Sequence, residues 1–142
     1  MKASFHPVAP NPIVFYSPVY SSVQAGFASP ALDYMSEPID LNEHIIEHPA
    51  ATFYCRATGE SMIGAHIPPG AIMVIDRALE AADGSIVLAV LNGEFTVKRL
   101  EKRENGMRLL PENPKFQPIV ITEEMQFVIW GVVRAIVIDK PK

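Results

Sequence analysis

Two strand-like segments separated by Asn92-Gly93 constrain the fold of this chain more than any other feature. The first, Ile86–Leu91, is continuously apolar, which is typical of a strand buried on both faces. Asn-Gly between two such segments is the strongest short-range signal for a two-residue hairpin turn. Residues 94–100 then alternate between polar and apolar side chains, as a returning strand does. The sequence therefore predicts a β-hairpin over residues 86–100.

This hairpin places Lys98 among apolar neighbours. A two-residue turn fixes the register, so Val87 is expected opposite Lys98 and Ala89 opposite Thr96. Desolvation disfavours the charged form of an amine, so this placement is expected to lower the pKa of Lys98. A neutral amine can act as a general base, and a serine is a poor nucleophile until a base takes its proton. Ser61, in the stretch Gly59-Glu60-Ser61-Met62, is the candidate nucleophile.

Spacing alone leaves simpler interpretations open for both residues. A lysine near the end of a strand commonly extends its ammonium group into water. A Gly-x-Ser-Met stretch is commonly just a turn, and no simple spacing rule links Ser61 to Lys98. The stretch is also not a Gly-x-Ser-x-Gly nucleophile elbow, because Ile63 stands where the second glycine is required.

Composition excludes several classes of protein. A length of 142 residues fits one domain with a real core and an extension. A formal net charge of −4 argues against nucleic acid as the main partner, because phosphate binding needs a basic face. Cys55 is the only cysteine, which excludes an intramolecular disulfide and favours a buried apolar role in a reducing cytoplasm. Neither a transmembrane segment nor a signal peptide is evident, so we expect a cytoplasmic protein without a membrane partner.

The N-terminal part of the chain is rich in proline and lacks charge. Residues 3–32 contain no Asp, Glu, Lys or Arg, and proline at this density prevents regular helices and makes central strands improbable. We therefore expect residues 1–40 to form an extended arm and residues 41–142 to form the β domain. Within the arm, Ala25-Gly26 are small residues between larger ones, which suits an extended peptide in a narrow cleft. The alternative is a flexible turn at Gly26.

One short helix is predicted where the arm joins the domain. Asp40 is a candidate N-cap, with Glu43 three residues later, and the helix is expected to end before Pro49. The segment from His44 to His48 matches the H-x-x-E-H pattern of some zinc peptidases. Because His48 directly precedes a proline and no third ligand is evident, a solvated helix end is the preferred interpretation and a zinc peptidase the alternative.

The rest of the chain reads as short strands. They are predicted at residues 52–57, 71–76, 107–110, 119–121 and 127–138, separated by turns that contain Gly, Pro or Asn. Such spacing predicts a mainly β domain of the barrel or sandwich type. The sequence shows no glycine-rich phosphate loop and no helix-turn-helix.

Several segments, in this order, resemble the LexA/UmuD family of self-cleaving serine peptidases, and its UmuD-like members in particular. The matching segments are Gln24-Ala25-Gly26-Phe27, Ile39-Asp40-Leu41-Asn42, Gly59-Glu60-Ser61-Met62, residues 93–100, Pro111-Glu112-Asn113, Phe116-Gln117-Pro118-Ile119 and Gly131-Val132-Val133. The resemblance covers the chain from about residue 20 to the end. Ala71 and Ser85 depart from it, since acidic residues are common in the family at both positions.

The resemblance implies a fold and a set of site residues. The fold is a LexA/UmuD C-terminal-like β domain with an extended N-terminal arm. Ser61 is implied to be the nucleophile, Lys98 the general base, and Ala25–Gly26 the peptide bond that the protein cuts in itself. The backbone N–H groups of Glu60 and Ser61 are the candidates for the oxyanion hole. No cofactor and no metal are expected.

The resemblance also implies a biological role. LexA-type repressors carry a DNA-binding domain before the cleavage site, whereas only 25 residues precede Gly26 here, so the UmuD-like interpretation is expected. It implies a homodimer of the SOS response whose self-cleavage is stimulated by RecA filaments on single-stranded DNA. The shortened form then serves a Y-family, UmuC-like translesion polymerase and meets DNA only through partners. The alternative is a non-proteolytic, dimeric binding module for the polymerase, in which cleavage is incidental.

Overall fold

The computed structural model describes residues 4–8, 17–20 and 35–140. Of these, residues 4–8 and 48–140 form one unit, and residues 17–20 and 35–47 form another. The proposed cleavage site, Ala25–Gly26, lies outside the described residues.

Ten strands and one α-helix lie in the described ranges. In chain order they are β1 (Phe5–Pro7), β2 (Ser17–Tyr20), β3 (Met35–Ile39), α1 (Leu41–Ile45), β4 (Thr52–Arg56), β5 (Ile72–Asp76), β6 (Ile86–Leu91), β7 (Glu94–Arg103), β8 (Gly106–Leu110), β9 (Ile119–Val120) and β10 (Phe127–Val137). Short 3-10 turns occur at Pro49–Ala51 and Ile63–Ala65. No helix within these ranges is long and apolar enough to cross a membrane.

The smaller unit contains the predicted helix. β2 and β3 pair as antiparallel strands, and α1 follows directly. Asp40 is its N-cap, as predicted: its carboxylate accepts a hydrogen bond from the backbone N–H of Asn42 at 3.0 Å. Such a bond satisfies one of the N–H groups that the first turn leaves without a partner. The helix ends at Ile45, well before Pro49.

The larger unit is built on one antiparallel sheet, which confirms the predicted mainly β fold. Its eight strands lie in the order β1-β4-β5-β10-β6-β7-β8-β9. All neighbouring strands are antiparallel. The sheet brings β10, the last strand in sequence, to its centre, between β5 and β6.

The hairpin of β6 and β7 has the predicted register. Val87 lies opposite Lys98, and Ala89 lies opposite Thr96. Asn92 and Gly93 have φ values of 49° and 83°, so both turn residues adopt the left-handed conformation that a type I′ turn requires. Asn tolerates this conformation and Gly adopts it without steric cost, which explains why this dipeptide sets the turn.

β6 is covered on both faces, as its continuous apolar sequence predicts. Leu88 packs in one hydrophobic cluster with Met73 and Ile75. Val87 and Ala89 point the other way into a second cluster, which also contains Leu100 and Leu109. Cys55 is buried in the first cluster and is not in a disulfide, in agreement with its predicted apolar role.

Strand β10 bends at Trp130. Its pairing with β6 runs from Ile129 directly to Gly131, so Trp130 is the extra residue of a β-bulge. The carbonyl oxygen of Trp130 accepts a hydrogen bond from Nε of Arg77 at 2.9 Å. Gly131 lies so close to Ile75 that an added Cβ would sit 2.5 Å from its Cγ2 atom.

We predict that Gly131→Ala destabilises the protein by about 1–3 kcal/mol, because the new methyl group overpacks the buried Ile75. Chemical denaturation followed by circular dichroism measures the change in the free energy of unfolding. Val128→Ala, on an exposed side chain of the same strand, is the control and should stay within about 0.5 kcal/mol of wild type. Equal stability of Gly131→Ala and wild type would contradict the packing seen here.

Candidate active site

Ser61 lies in a tight loop that follows β4. Backbone hydrogen bonds between Ala57 and Gly70 and between Ala57 and Ala71 join the end of β4 to the turn before β5. Gly59 then takes a left-handed φ of 79°, which reverses the chain immediately before Ser61. The sequence Gly59-Glu60-Ser61-Met62 therefore forms a loop whose direction depends on its glycine.

The side chain of Lys98 reaches this loop from the middle of β7. Its Nζ atom lies 3.1 Å from Oγ of Ser61, 2.8 Å from Oγ1 of Thr96 and 3.1 Å from the carbonyl oxygen of Val97. Lys98 is only 9% exposed, and burial lowers the pKa of its amine. In the described part of the chain, no carboxylate forms an ion pair with it. The structure thus brings together the two side chains that the sequence singled out.

The three contacts of Nζ define what the amine can do. A neutral amine has two N–H groups and one lone pair. When the N–H groups donate to Thr96 and to the carbonyl of Val97, the lone pair is left for the hydroxyl of Ser61. In this protonation state Lys98 can take the proton of Ser61, which is the role of a general base.

A cleft of about 220 Å³ opens beside these two residues. It is lined by residues 57–59, Ser61 and Met62, by Ile67, and by residues 95–98 of β7. Met62, Ile67 and Val97 are buried apolar residues of the first hydrophobic cluster. The cleft is therefore small and has a mixed lining, in which Thr58, Ser61, Thr96 and Lys98 are the residues with polar side chains.

The strand along the cleft has an open edge. β8 pairs with β7 only from Arg99 onward, so the preceding part of β7 has a strand neighbour on one side alone within the described residues. Residues that flank a two-residue turn form a hydrogen-bonded pair, and such pairs alternate along a hairpin. The backbone groups of Phe95 and Val97 therefore point away from β6, toward the open edge. An extended peptide can pair with such an edge.

The loop Gly59–Met62, called the serine loop below, is anchored to the segment that follows β8. The N–H of Glu112 donates to the carbonyl of Ser61 at 2.8 Å, and the N–H of Gly64 donates to the carbonyl of Glu112 at 2.8 Å. The buried amide of Asn113 donates to the carbonyl of Glu60 at 2.9 Å. An added Cβ at Gly64 would lie 2.6 Å from the carbonyl oxygen of Glu112, so only glycine permits this approach.

Two N–H groups of the loop are available to an anion. Within the residues that the structure describes, the N–H groups of Glu60 and Ser61 donate no hydrogen bond to another protein group. Both belong to the tight loop that carries the hydroxyl of Ser61. Backbone donors held in this way are the usual components of an oxyanion hole.

Comparison with known proteins identifies the family. A model of the Peptidase S24-like family matches residues 18–134. The chain belongs to this family. Protein SamA of Salmonella typhimurium is 44% identical over 133 residues, which are 92% of each chain. Protein MucA of Escherichia coli is 42% identical over 120 residues, covering 84% of this chain and 82% of MucA. These relatives confirm the resemblance to UmuD-like members of the LexA/UmuD family.

A repressor is also similar to this chain, but the aligned region is a smaller share of the repressor's length. LexA repressor 2 of Pseudomonas syringae pv. tomato is 37% identical over 124 residues, which are 87% of this chain and 60% of the repressor. The S24 family therefore includes proteins of different length that share the region described here.

The H-x-x-E-H stretch of this S24 family member does not lie on one helix. α1 ends at Ile45, so Glu47 and His48 follow it. Nδ1 of His48 lies instead 2.6 Å from a carboxylate oxygen of the buried Asp76. In the described ranges, no group of three or more His, Cys, Asp or Glu side chains could hold a metal ion. The geometry that the zinc interpretation requires is not present.

Sequence reasoning missed two residues at this site. Thr96 precedes Lys98 by two positions on the same strand, so strand periodicity alone could have placed its hydroxyl beside the amine. Asn113 was named only within a segment of the family resemblance, with no role, and its amide contacts Glu60, which is distant in sequence. No local pattern signals a contact of that kind.

We predict that Asn113→Ala lowers the free energy of unfolding by about 1–3 kcal/mol, because two part-buried hydrogen bonds to the backbone are lost. Their backbone partners are the carbonyl of Glu60 and the N–H of Lys115, which the Asn113 side chain binds at 2.9 and 3.0 Å. Urea denaturation measures the loss. Asn105→Ala, at an exposed turn, is the matched control, and an equal effect of the two substitutions would contradict the anchoring role.

Proposed function

We propose that this chain is an SOS-response serine peptidase that cleaves its own Ala25–Gly26 bond, with Ser61 as nucleophile and Lys98 as general base. The observation that carries the proposal is the 3.1 Å approach of Nζ of Lys98 to Oγ of Ser61 in a cleft where Lys98 is buried. Membership of the S24 family supports it independently. Residues 1–40 act in this proposal as the arm that presents the bond to the cleft.

In the first step, neutral Lys98 takes the proton of Ser61 as Oγ attacks the carbonyl carbon of Ala25. The oxyanion that forms is bound by the N–H groups of Glu60 and Ser61. Collapse of this intermediate breaks the bond to the nitrogen of Gly26, and the ammonium group of Lys98 gives its proton to that nitrogen. Ala25 is then held as an ester on Ser61.

In the second step, water hydrolyses this ester. Lys98, again neutral, takes a proton from the attacking water molecule and returns one to Oγ of Ser61 as the ester breaks. The products are a peptide that ends at Ala25 and a protein that begins at Gly26. The reaction consumes one water molecule, and both catalytic side chains regain their starting protonation states.

The shape of the cleft suits this substrate. Ala25 and Gly26 carry the smallest side chains, and the cleft is about 220 Å³ with Lys98 and Ser61 at its wall. The edge of β7 at Phe95 and Val97 has no strand neighbour on this side within the described residues, so its free N–H groups and the carbonyl of Phe95 can bond an extended segment. A segment rich in proline has fewer backbone conformations to lose, so binding it in an extended form costs less conformational entropy.

Cleavage is proposed to switch the protein into its working form. Gly26–Lys142, as a homodimer in the cytoplasm, would act as accessory subunit of a Y-family, UmuC-like translesion polymerase in SOS mutagenesis. RecA filaments on single-stranded DNA would stimulate the cut. The similarity to SamA and MucA supports this role, and the net charge of −4 fits a protein that meets DNA through partners.

We predict that mildly alkaline incubation of the purified protein yields a fragment that begins at Gly26, measured by intact-mass analysis. Ser61→Ala should abolish the fragment, and Lys98→Ala should slow its appearance by roughly 10²–10⁴-fold, the usual contribution of a general base. Lys115→Ala, on an exposed lysine, is the control and should cut at the wild-type rate. If wild type stays uncut alone and with RecA, ATP and single-stranded DNA, the peptidase proposal is wrong.

We predict that the unassisted cleavage rate rises with pH and then levels off. At low pH Lys98 is an ammonium ion and cannot accept the proton of Ser61, so the rate should rise about tenfold per pH unit. Because burial lowers the pKa of Lys98, levelling should begin below the ordinary lysine value of 10.5. The initial rate of fragment formation is measured at each pH, with circular dichroism to show that the fold persists. A rate independent of pH would contradict the role of Lys98.

A further inference from the structure

The N-terminal strand β1 occupies the outer edge of the sheet. Phe5 lies opposite Cys55 of β4, and Pro7 lies opposite Phe53. Proline cannot donate to a sheet ladder, so an outer strand is the place where Pro7 is tolerated. This segment is therefore bound to the side of β4 as an added strand.

The side chain of Phe5 packs against other aromatic rings. Its ring stacks on Trp130 with centroids 4.6 Å apart, and it meets Phe95 edge-on at 4.9 Å. Phe53 contacts the same Trp130 ring at 5.3 Å, and the guanidinium of Arg77 lies 4.2 Å from the ring centroid. We call Phe53, Phe95 and Trp130 the aromatic site; they come from β4, β7 and β10. Such a site selects an aromatic side chain from an extended segment.

The position of β1 in the chain matters for cleavage. β1 precedes the Ala25–Gly26 bond, whereas every strand that forms the aromatic site follows it. In the uncut chain the covalent link keeps the local concentration of β1 on the order of millimolar. A cut at Ala25–Gly26 removes that link. From then on β1 is part of a separate peptide.

A separate peptide would be held weakly. β1 has three residues, against the roughly 20–30 residues on each side of a stable protein interface. The same peptide contains β2, but its partner β3 lies beyond the bond, and a two-stranded pair is marginal even with its loop intact. At micromolar concentration the peptide should therefore dissociate.

We propose that the edge of β4 and the aromatic site form a peptide-binding site that residues 4–7 occupy in the uncut chain and vacate after cleavage. The vacated site then binds an extended segment of a partner protein that places an aromatic side chain where Phe5 was. The switch rests on the self-cleavage proposed above, whereas the binding site rests only on the contacts of β1. The occupant is inferred from the segment already seated there: extended, antiparallel to β4, with one ring directed inward.

Trp130 reports on this site because it is the only tryptophan in the chain. The test uses the full-length chain with Ser61→Ala and with the recognition sequence of an unrelated protease inserted between Gly26 and Phe27. Cutting with that protease should release the N-terminal peptide, detected by native mass spectrometry. Quenching of Trp130 fluorescence by acrylamide should rise by about twofold or more, because the Phe5 ring no longer covers the indole.

Adding back a synthetic peptide of residues 1–12 should reverse the change, with a dissociation constant on the order of 0.1–1 mM for so short a strand. The same peptide with Phe5→Ala should not reverse it, whereas Phe5→Tyr should. His6→Ala, which alters the exposed neighbour, is the matched control and should bind like the natural peptide. Retention of the N-terminal peptide after the cut, unchanged quenching, or equal binding of the Phe5→Ala peptide would each overturn the proposal.

This design separates the two proposals. The added protease makes the cut, so absence of self-cleavage in wild type would refute the peptidase proposal without affecting the fluorescence result. Conversely, self-cleavage at Ala25–Gly26 with no change at Trp130 would leave the peptidase intact and remove the peptide-binding site.

Discussion

The burial of one amine beside one hydroxyl is the constraint of this structure on which the proposed chemistry depends. Lys98 is enclosed by the sheet and the serine loop, and oxygen atoms of Thr96, Val97 and Ser61 are its hydrogen-bond partners. Burying a charged ammonium without a carboxylate is unfavourable, so the environment favours the neutral form. A carboxylate partner would stabilise the ammonium form of Lys98, which has no lone pair to accept a proton. The burial of Lys98 therefore costs stability and favours the neutral amine that the proposed general base requires.

The distance between Ser61 and Lys98 is set by two sets of contacts. The hairpin register fixes Lys98, because a shift of one residue would turn Lys98 and the apolar residues of β6 to the wrong faces. The serine loop is fixed separately, by the bonds from Glu112 and Asn113 to the carbonyls of Ser61 and Glu60. Glu112 and Asn113 lie just after β8, and β8 pairs with β7, the strand that carries Lys98. One strand thus supports both halves of the site.

How far the sequence predicts this protein depends on how local each signal is. The hairpin was predicted with its register because the Asn92-Gly93 turn and the alternation lie within one short stretch. The proximity of Ser61 to Lys98 had no such signal, and the family resemblance supplied it. The bulge at Trp130 and the amide of Asn113 were missed, because both depend on contacts with strands or loops far away in sequence. The extended character of the N-terminal segment was predicted, but not its pairing with β4.

The proposed reaction explains why so simple a site is sufficient. A peptidase that cuts its own arm has a tethered substrate, so proximity supplies much of what other enzymes obtain through binding. A cut that each chain needs only once requires neither rapid product release nor high turnover. Phe95 lies at the wall of the cleft and also touches Phe5. If β1 dissociates after the cut, Phe95 loses its contact with Phe5 only once the peptide bond has been cleaved. The same cut would then complete the reaction and expose the aromatic site.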